Sequence, residues 1–140
     1  MGVIEFPKIP QTVKIYSTVT PGTRFVFNGK CEEKTFSFAL VSTSNIALLL
    51  EFDLENDKLV RAKSFFKGIW SAEKISKNPV RANTDFFIQI VVSREKFEVF
   101  SDGNHIVSLK QTVPLDEVNG IRLMETMELR RIEMDQQQYQ

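Results

Sequence analysis

Residues 46–74 read IALLLEFDLENDKLVRAKSFFKGIWSAEK, and the first nine of them decide the fold class. Leu48, Leu50, Phe52 and Leu54 alternate with Ala47, Leu49, Glu51 and Asp53. A repeat of two puts the first set on one strand face, against a core, and turns the second set outward. KLVRAKSF and GIWSAEK then read as a second strand and the turn into a third, the latter carrying Trp70, the only Trp of the chain. The stretch predicts a short β-meander with one buried and one exposed face.

Working outward, the same period recurs on both sides. Upstream, Val13 to Ser17 can form a short strand, Pro21-Gly22 signals a turn, and Phe25 and Phe27 share a face of Arg24 to Gly29. Phe36, Phe38 and Leu40 alternate with Ser37 and Ala39 in Thr35 to Val41. Residues 1–11 carry Pro7 and Pro10 and are expected to run extended along an edge. Downstream, a polar loop runs from Lys74 to Thr84, and Asp85 to Ser93 points Phe86, Ile88, Ile90 and Val92 one way. Lys96 to Ser101 and His105 to Leu109 flank Asp102-Gly103, whose residues tolerate the positive φ of a tight hairpin. Val118 to Leu123 and Glu128 to Met134 complete ten or eleven strands. Only Pro114 to Val118 could make a helical turn. Short strands with regularly spaced turn signals mean an all-β sandwich or barrel. One domain over residues 1–134 and a polar tail, DQQQYQ at 135–140, are expected.

Composition narrows the partners. Lys plus Arg and Asp plus Glu number 18 each, so no basic field steers nucleic acid or an anionic membrane. No apolar run approaches the roughly 18 residues of a membrane span. The first residues, MGVIEFPKIP, lack the basic and apolar regions of a signal peptide, so a cytoplasmic protein is expected, with any export independent of such a peptide. Cys31, the single cysteine, cannot form an intramolecular disulfide, and Glu32 and Glu33 beside it on a loop disfavour its thiolate. His105, the single histidine, is too few for a His-rich metal site, and no cofactor or metal is expected.

Several segments in order resemble the galectin carbohydrate-recognition domain. TPGTRFVFNGK is similar to that family's Pro-Gly turn and Arg-Phe strand, and GIWSAEK to its Gly-x-Trp-Gly-x-Glu. FSFALVSTSNIALLLEFDL holds the place of the strand pair that leads to the family's His-x-Asn-x-Arg. FFIQIVVSREKFEVFSDGNHIVSL resembles its Phe-x-Ile-x-Ile strand and Asn-Gly-x-His turn, and VPLDEVNGIRLMETMELRRIEM its closing pattern. The likeness spans roughly Val13 to Met134 and implies a two-sheet antiparallel jelly-roll sandwich, galectin- or concanavalin-like.

The resemblance also implies where a sugar would lie. In galectins a His, an Asn and an Arg on alternating positions, and an Asn on the next strand, bond a β-galactoside while a Trp stacks on it. Here those four positions become Leu49, Glu51, Asp53 and Lys63, or Ala62 if the register slips by one. Trp70 and Glu73 match the family, Ser71 stands for its Gly, and Ile75 for its later Arg. Glu73 is expected to lack the Arg it would hold. A millimolar ligand is bound by only about 4 kcal/mol, and four lost polar contacts at about 0.5–1.5 kcal/mol each consume most of it. Lactose is therefore expected to bind very weakly or not at all.

Two functional readings follow. In the first, Trp70, Glu73, Glu51, Asp53, Lys63 and Leu49 form a remodelled carbohydrate site for a glycan other than a simple β-galactoside. In the second, the charges merely solvate an outer sheet face, and a galectin-fold module works through protein contacts, including those of a homodimer. An intracellular lipid-binding β-barrel fits the length, but the chain lacks the helical pair such barrels carry. Glu51 and Asp53 are rooted about 6.5–7 Å apart, a spacing glycosidases also use, yet the resemblance implies no enzyme.

Overall fold

The computed structural model describes residues 2–5, 11–124 and 128–136, of which residues 4, 5 and 11 by backbone only. Thirteen strands are assigned among them. They are β1 (Gly2–Glu5), β2 (Gln11–Lys14), β3 (Thr23–Lys30), β4 (Thr35–Val41), β5 (Ile46–Asp53), β6 (Leu59–Phe66) and β7 (Ile69–Trp70). After these come β8 (Lys74–Lys77), β9 (Asp85–Val92), β10 (Lys96–Ser101), β11 (Asn104–Lys110), β12 (Gly120–Leu123) and β13 (Glu128–Gln136). One sheet has the order β1-β13-β3-β9-β10-β11 and the other β2-β12-β4-β5-β6-β7, with β8 also on β6. Every pairing is antiparallel. The fold is the all-β two-sheet jelly-roll sandwich.

Phe side chains hold the sheets together. Phe27 of β3 stacks on Phe38 of β4 with centroids 4.1 Å apart, and Phe86 of β9 on Phe36 of β4 at 4.7 Å. Both pairs bridge the sandwich, and Phe52 of β5 stacks on Phe36 from within its own sheet at 4.5 Å. The alternation places Leu48, Leu50, Phe52, Val60 and Ala62 in the same buried core. The Asp102-Gly103 hairpin forms as expected, with φ of 49° and 83°.

Several expectations need correction. Ala47 is fully buried rather than outward. The register passes from Leu40↔Leu48 to Val41↔Ile46, which leaves Ala47 as the extra residue of a bulge, and a bulged residue escapes strict alternation. Cys31 is buried in the core, not displayed on a charged loop, and its Sγ faces the carbonyls of Glu33 and Thr35. The supposed loop after Lys74 begins with a strand, β8, because Lys74 and Lys77 can pair with Ala62 and Leu59 of β6. The first of the expected strands stops at Lys14, with only the Ile15 amide continuing to the Asn119 carbonyl. At the other end β13 continues through Asp135 and Gln136, opposite Arg24 and Thr23, so the first two residues of the expected tail are strand. The expected edge run holds for residues 2–5, while residues 6–10 and 137–140 lie outside the described residues.

Candidate functional site

The outer face of β5 and β6 collects the chemistry. Leu49 lies opposite Lys63, and Glu51 opposite Arg61. Period 2 then puts Arg61, Lys63 and Phe65 on one face, while Ala62 and Ser64 turn inward and are buried. The register thus selects Lys63, not Ala62, as the neighbour of the β5 positions. Beyond Phe65, the hairpin of β6 and β7 sets Trp70 opposite it. The two rings meet at 5.0 Å, tilted by 57°, and Trp70 remains 47% exposed.

Lys63 is the hub. Its Nζ lies 3.7 Å from Glu51 Oε1 and 3.6 Å from Glu73 Oε2, and 4.7 Å from the centroid of the Trp70 ring. Arg61 supplies a second cation, with Nε 3.7 Å from Glu73 Oε1 and its guanidinium hydrogen-bonded to Asp57. Glu73, expected to lack the Arg it would hold, has an Arg after all, Arg61, and β6 delivers two cations to it. Arg61 and Phe65 were missed, although they stand two residues either side of Lys63 and a period-2 count along β6 would have found both. These pairs are partly exposed and screened by solvent, so they orient side chains more than they stabilise the fold. The hydrogen bond from Arg61 holds the Asp57 carboxyl below its ordinary value, and the same bond raises Arg61.

Two residues at family positions have local structural duties. Asp53 Oδ1 accepts from the amides of Glu55 at 3.0 Å and Asn56 at 2.8 Å, closing the turn between β5 and β6. Ser71 begins a bulge in which Ser71, Ala72 and Glu73 lie opposite only Lys63 and Ser64. Its Oγ accepts from the Ser64 amide at 2.9 Å and donates to the Ala72 carbonyl at 3.1 Å. That bulge carries Glu73 back over β6, within reach of Lys63 and Arg61.

The structure brings together Glu51, Lys63, Glu73 and Trp70, with Leu49 beside Lys63, and sets Asp53 at the rim. Among the described residues no group of three or more His, Cys, Asp or Glu is placed to hold a metal ion. No helix there is long and apolar enough to cross a membrane.

A sequence profile of galactoside-binding lectins matches residues 10–134. The chain belongs to the galectin family. Its similarity to the probable galaptin lec-7 of Caenorhabditis elegans is 22% identity over 135 residues, covering 94% of this chain and 75% of that one. Among solved structures, the Caenorhabditis elegans galectin LEC-6 superposes with a TM-score of 0.87 at 17% identity, over 95% of both chains. A doubly substituted human galectin-16 gives 0.83 at 18% identity, over 96% of this chain and all of the other. At such identities these superpositions speak for the fold alone. On β5, Leu49, Glu51 and Asp53 share the outer face of the sheet.

Proposed function

We propose that this galectin is a non-enzymatic glycan-binding protein whose preference has moved away from simple β-galactosides. The reading rests on one observation: half-exposed Trp70 stands beside a linked Glu51–Lys63–Glu73 row on the outer sheet face. An indole face takes the apolar side of a sugar ring, and carboxylates accept from its hydroxyls. Lys63 occupies space over the Trp70 ring, so a sugar that stacks there competes with a cation–π contact. Leu49 offers no hydrogen bond where the family motif has a His. A ligand rich in donors, or one carrying a cationic group, suits this face better than lactose.

A glycan array probed with the wild type and Trp70→Ala tests the reading. The expected outcome is binding to a subset of glycans, without lactose, that disappears in the variant. Silence of both proteins, with the fold intact, would refute it.

A second reading has its own support. Ile69, Trp70 and Ile75 are exposed by 72%, 47% and 54% along the β7–β8 side of the sheet, Trp70 and Ile75 on the outer face and Ile69 on the opposite one, so that apolar side chains flank this side and suit a protein partner or a second copy. Concentration-dependent size in sedimentation, abolished by Ile69→Lys, would favour this interaction module.

A further inference from the structure

Away from the Trp70 face, a cleft of about 870 Å³ opens where β8 and the loop after it meet the start of β11. Its apolar lining comes from Leu54, Val80 and Ile106, and its cations are Lys58, Lys77 and Arg81. None of those three forms an ion pair among the described residues. The nearby carboxylates have other partners: Glu55 faces Lys34, Asp57 is held by Arg61, and Glu98 takes His105, which also lines the cleft.

The walls are built before any ligand arrives. Asn78, 8% exposed, donates its amide to the Lys58 carbonyl at 2.9 Å and its Nδ2 to the Asp53 carbonyl at 2.8 Å. Its Oδ1 accepts from the Val80 amide at 2.8 Å, and the Asn83 amide reaches the Cys31 carbonyl at 2.8 Å. The loop is thereby fastened at both ends. Lys58 has a φ of 56°, a left-handed conformation that Gly or Asn would adopt with less strain, so a cationic side chain is held where the backbone does not favour one.

Three cations without an ion pair among the described residues stand around an apolar lining, a combination suited to an anion with an organic body. We propose that this cleft binds a sulfate or phosphate monoester of a small sugar-sized group. Lys58, Lys77 and Arg81 hold the oxyanion by charge-assisted hydrogen bonds, and Leu54, Val80 and Ile106 cover the organic part. The proposal is independent of the Trp70 reading, since it uses other residues on another edge.

The test is amide NMR of the isotope-labelled full chain, titrated separately with four probes. These are galactose esterified at its primary hydroxyl with sulfate, the corresponding phosphate ester, inorganic sulfate, and galactose itself. Saturable shifts at Lys77, Ala82 and His105 are expected with both esters, weaker with inorganic sulfate and absent with galactose. The tighter ester indicates whether the natural anion is of the sulfated-glycan or the sugar-phosphate kind. Lys77→Gln with Arg81→Gln, both at exposed positions, should weaken ester binding about tenfold or more and leave other amides in place, while Trp70→Ala leaves these shifts unchanged. Three results would overturn the proposal: no saturable shift, inorganic sulfate binding as tightly as the esters, or shifts that survive the double substitution.

Discussion

The two faces of β5 and β6 are one residue apart in sequence and obey different rules. The inner face, Leu48, Leu50, Phe52, Val60 and Ala62, is excluded from solvent. The outer face, Leu49, Glu51, Asp53, Arg61, Lys63 and Phe65, is only partly covered. Close packing constrains the first, because a void or a misplaced polar atom costs stability directly. Solvent screens the second, where charges can be exchanged for about a kcal/mol or less. The sandwich can therefore keep its fold while side chains of its outer face are exchanged. Glu73 illustrates the outer face: its cationic partners, Arg61 and Lys63, both come from β6.

The sharpest way to break this contrast is on the inner side. Phe38→Ala removes a ring that stacks on Phe27 across the sandwich, and should cost about 3–5 kcal/mol, read as a lowered midpoint in denaturant unfolding. A loss below about 1 kcal/mol would mean that the core tolerates the void, and that the two faces differ less than argued. Ser71→Ala probes a residue whose side chain serves the outer face and the backbone at once. It leaves the amide of buried Ser64 without its acceptor, for an expected loss of about 1–3 kcal/mol. Ser71→Thr, which keeps the hydroxyl, should recover most of it.

The smallest effect belongs to Asp57. Its carboxyl is depressed by the hydrogen bond from Arg61, so its contribution to stability is present above the unfolded-state value of 3.8 and fades as pH falls through the lower folded-state value. Asp57→Asn should flatten the acid limb of a stability-versus-pH curve slightly and leave the neutral region within the range of a surface pair. A large change at neutral pH would show the outer network carrying more of the fold than its exposure suggests.

Much of this was legible in the residues. The period-2 runs at 35–41, 46–54 and 85–93 named the core Phe, Leu and Ile correctly, because burial on one sheet face leaves a direct trace in alternation. The ordered galectin-like segments pointed to the jelly roll and to Trp70, Glu73 and the β5 positions. Alternation failed at Ala47, where a bulge adds a residue, and at Cys31, whose charged neighbours say nothing about which way its own side chain turns. What the chain alone determined was an all-β sandwich or barrel and most of the positions that face outward, since both follow from local periodicity and turn chemistry, while the jelly roll itself came from the resemblance to galectins. Only the tertiary structure decided who meets whom. The pairing of Glu73 with Lys63 and Arg61, the commitment of Asp53 to a turn, and the gathering of Lys58, Lys77 and Arg81 around one cleft all depend on inter-strand register and on long-range closure of the sheets, which no local pattern encodes.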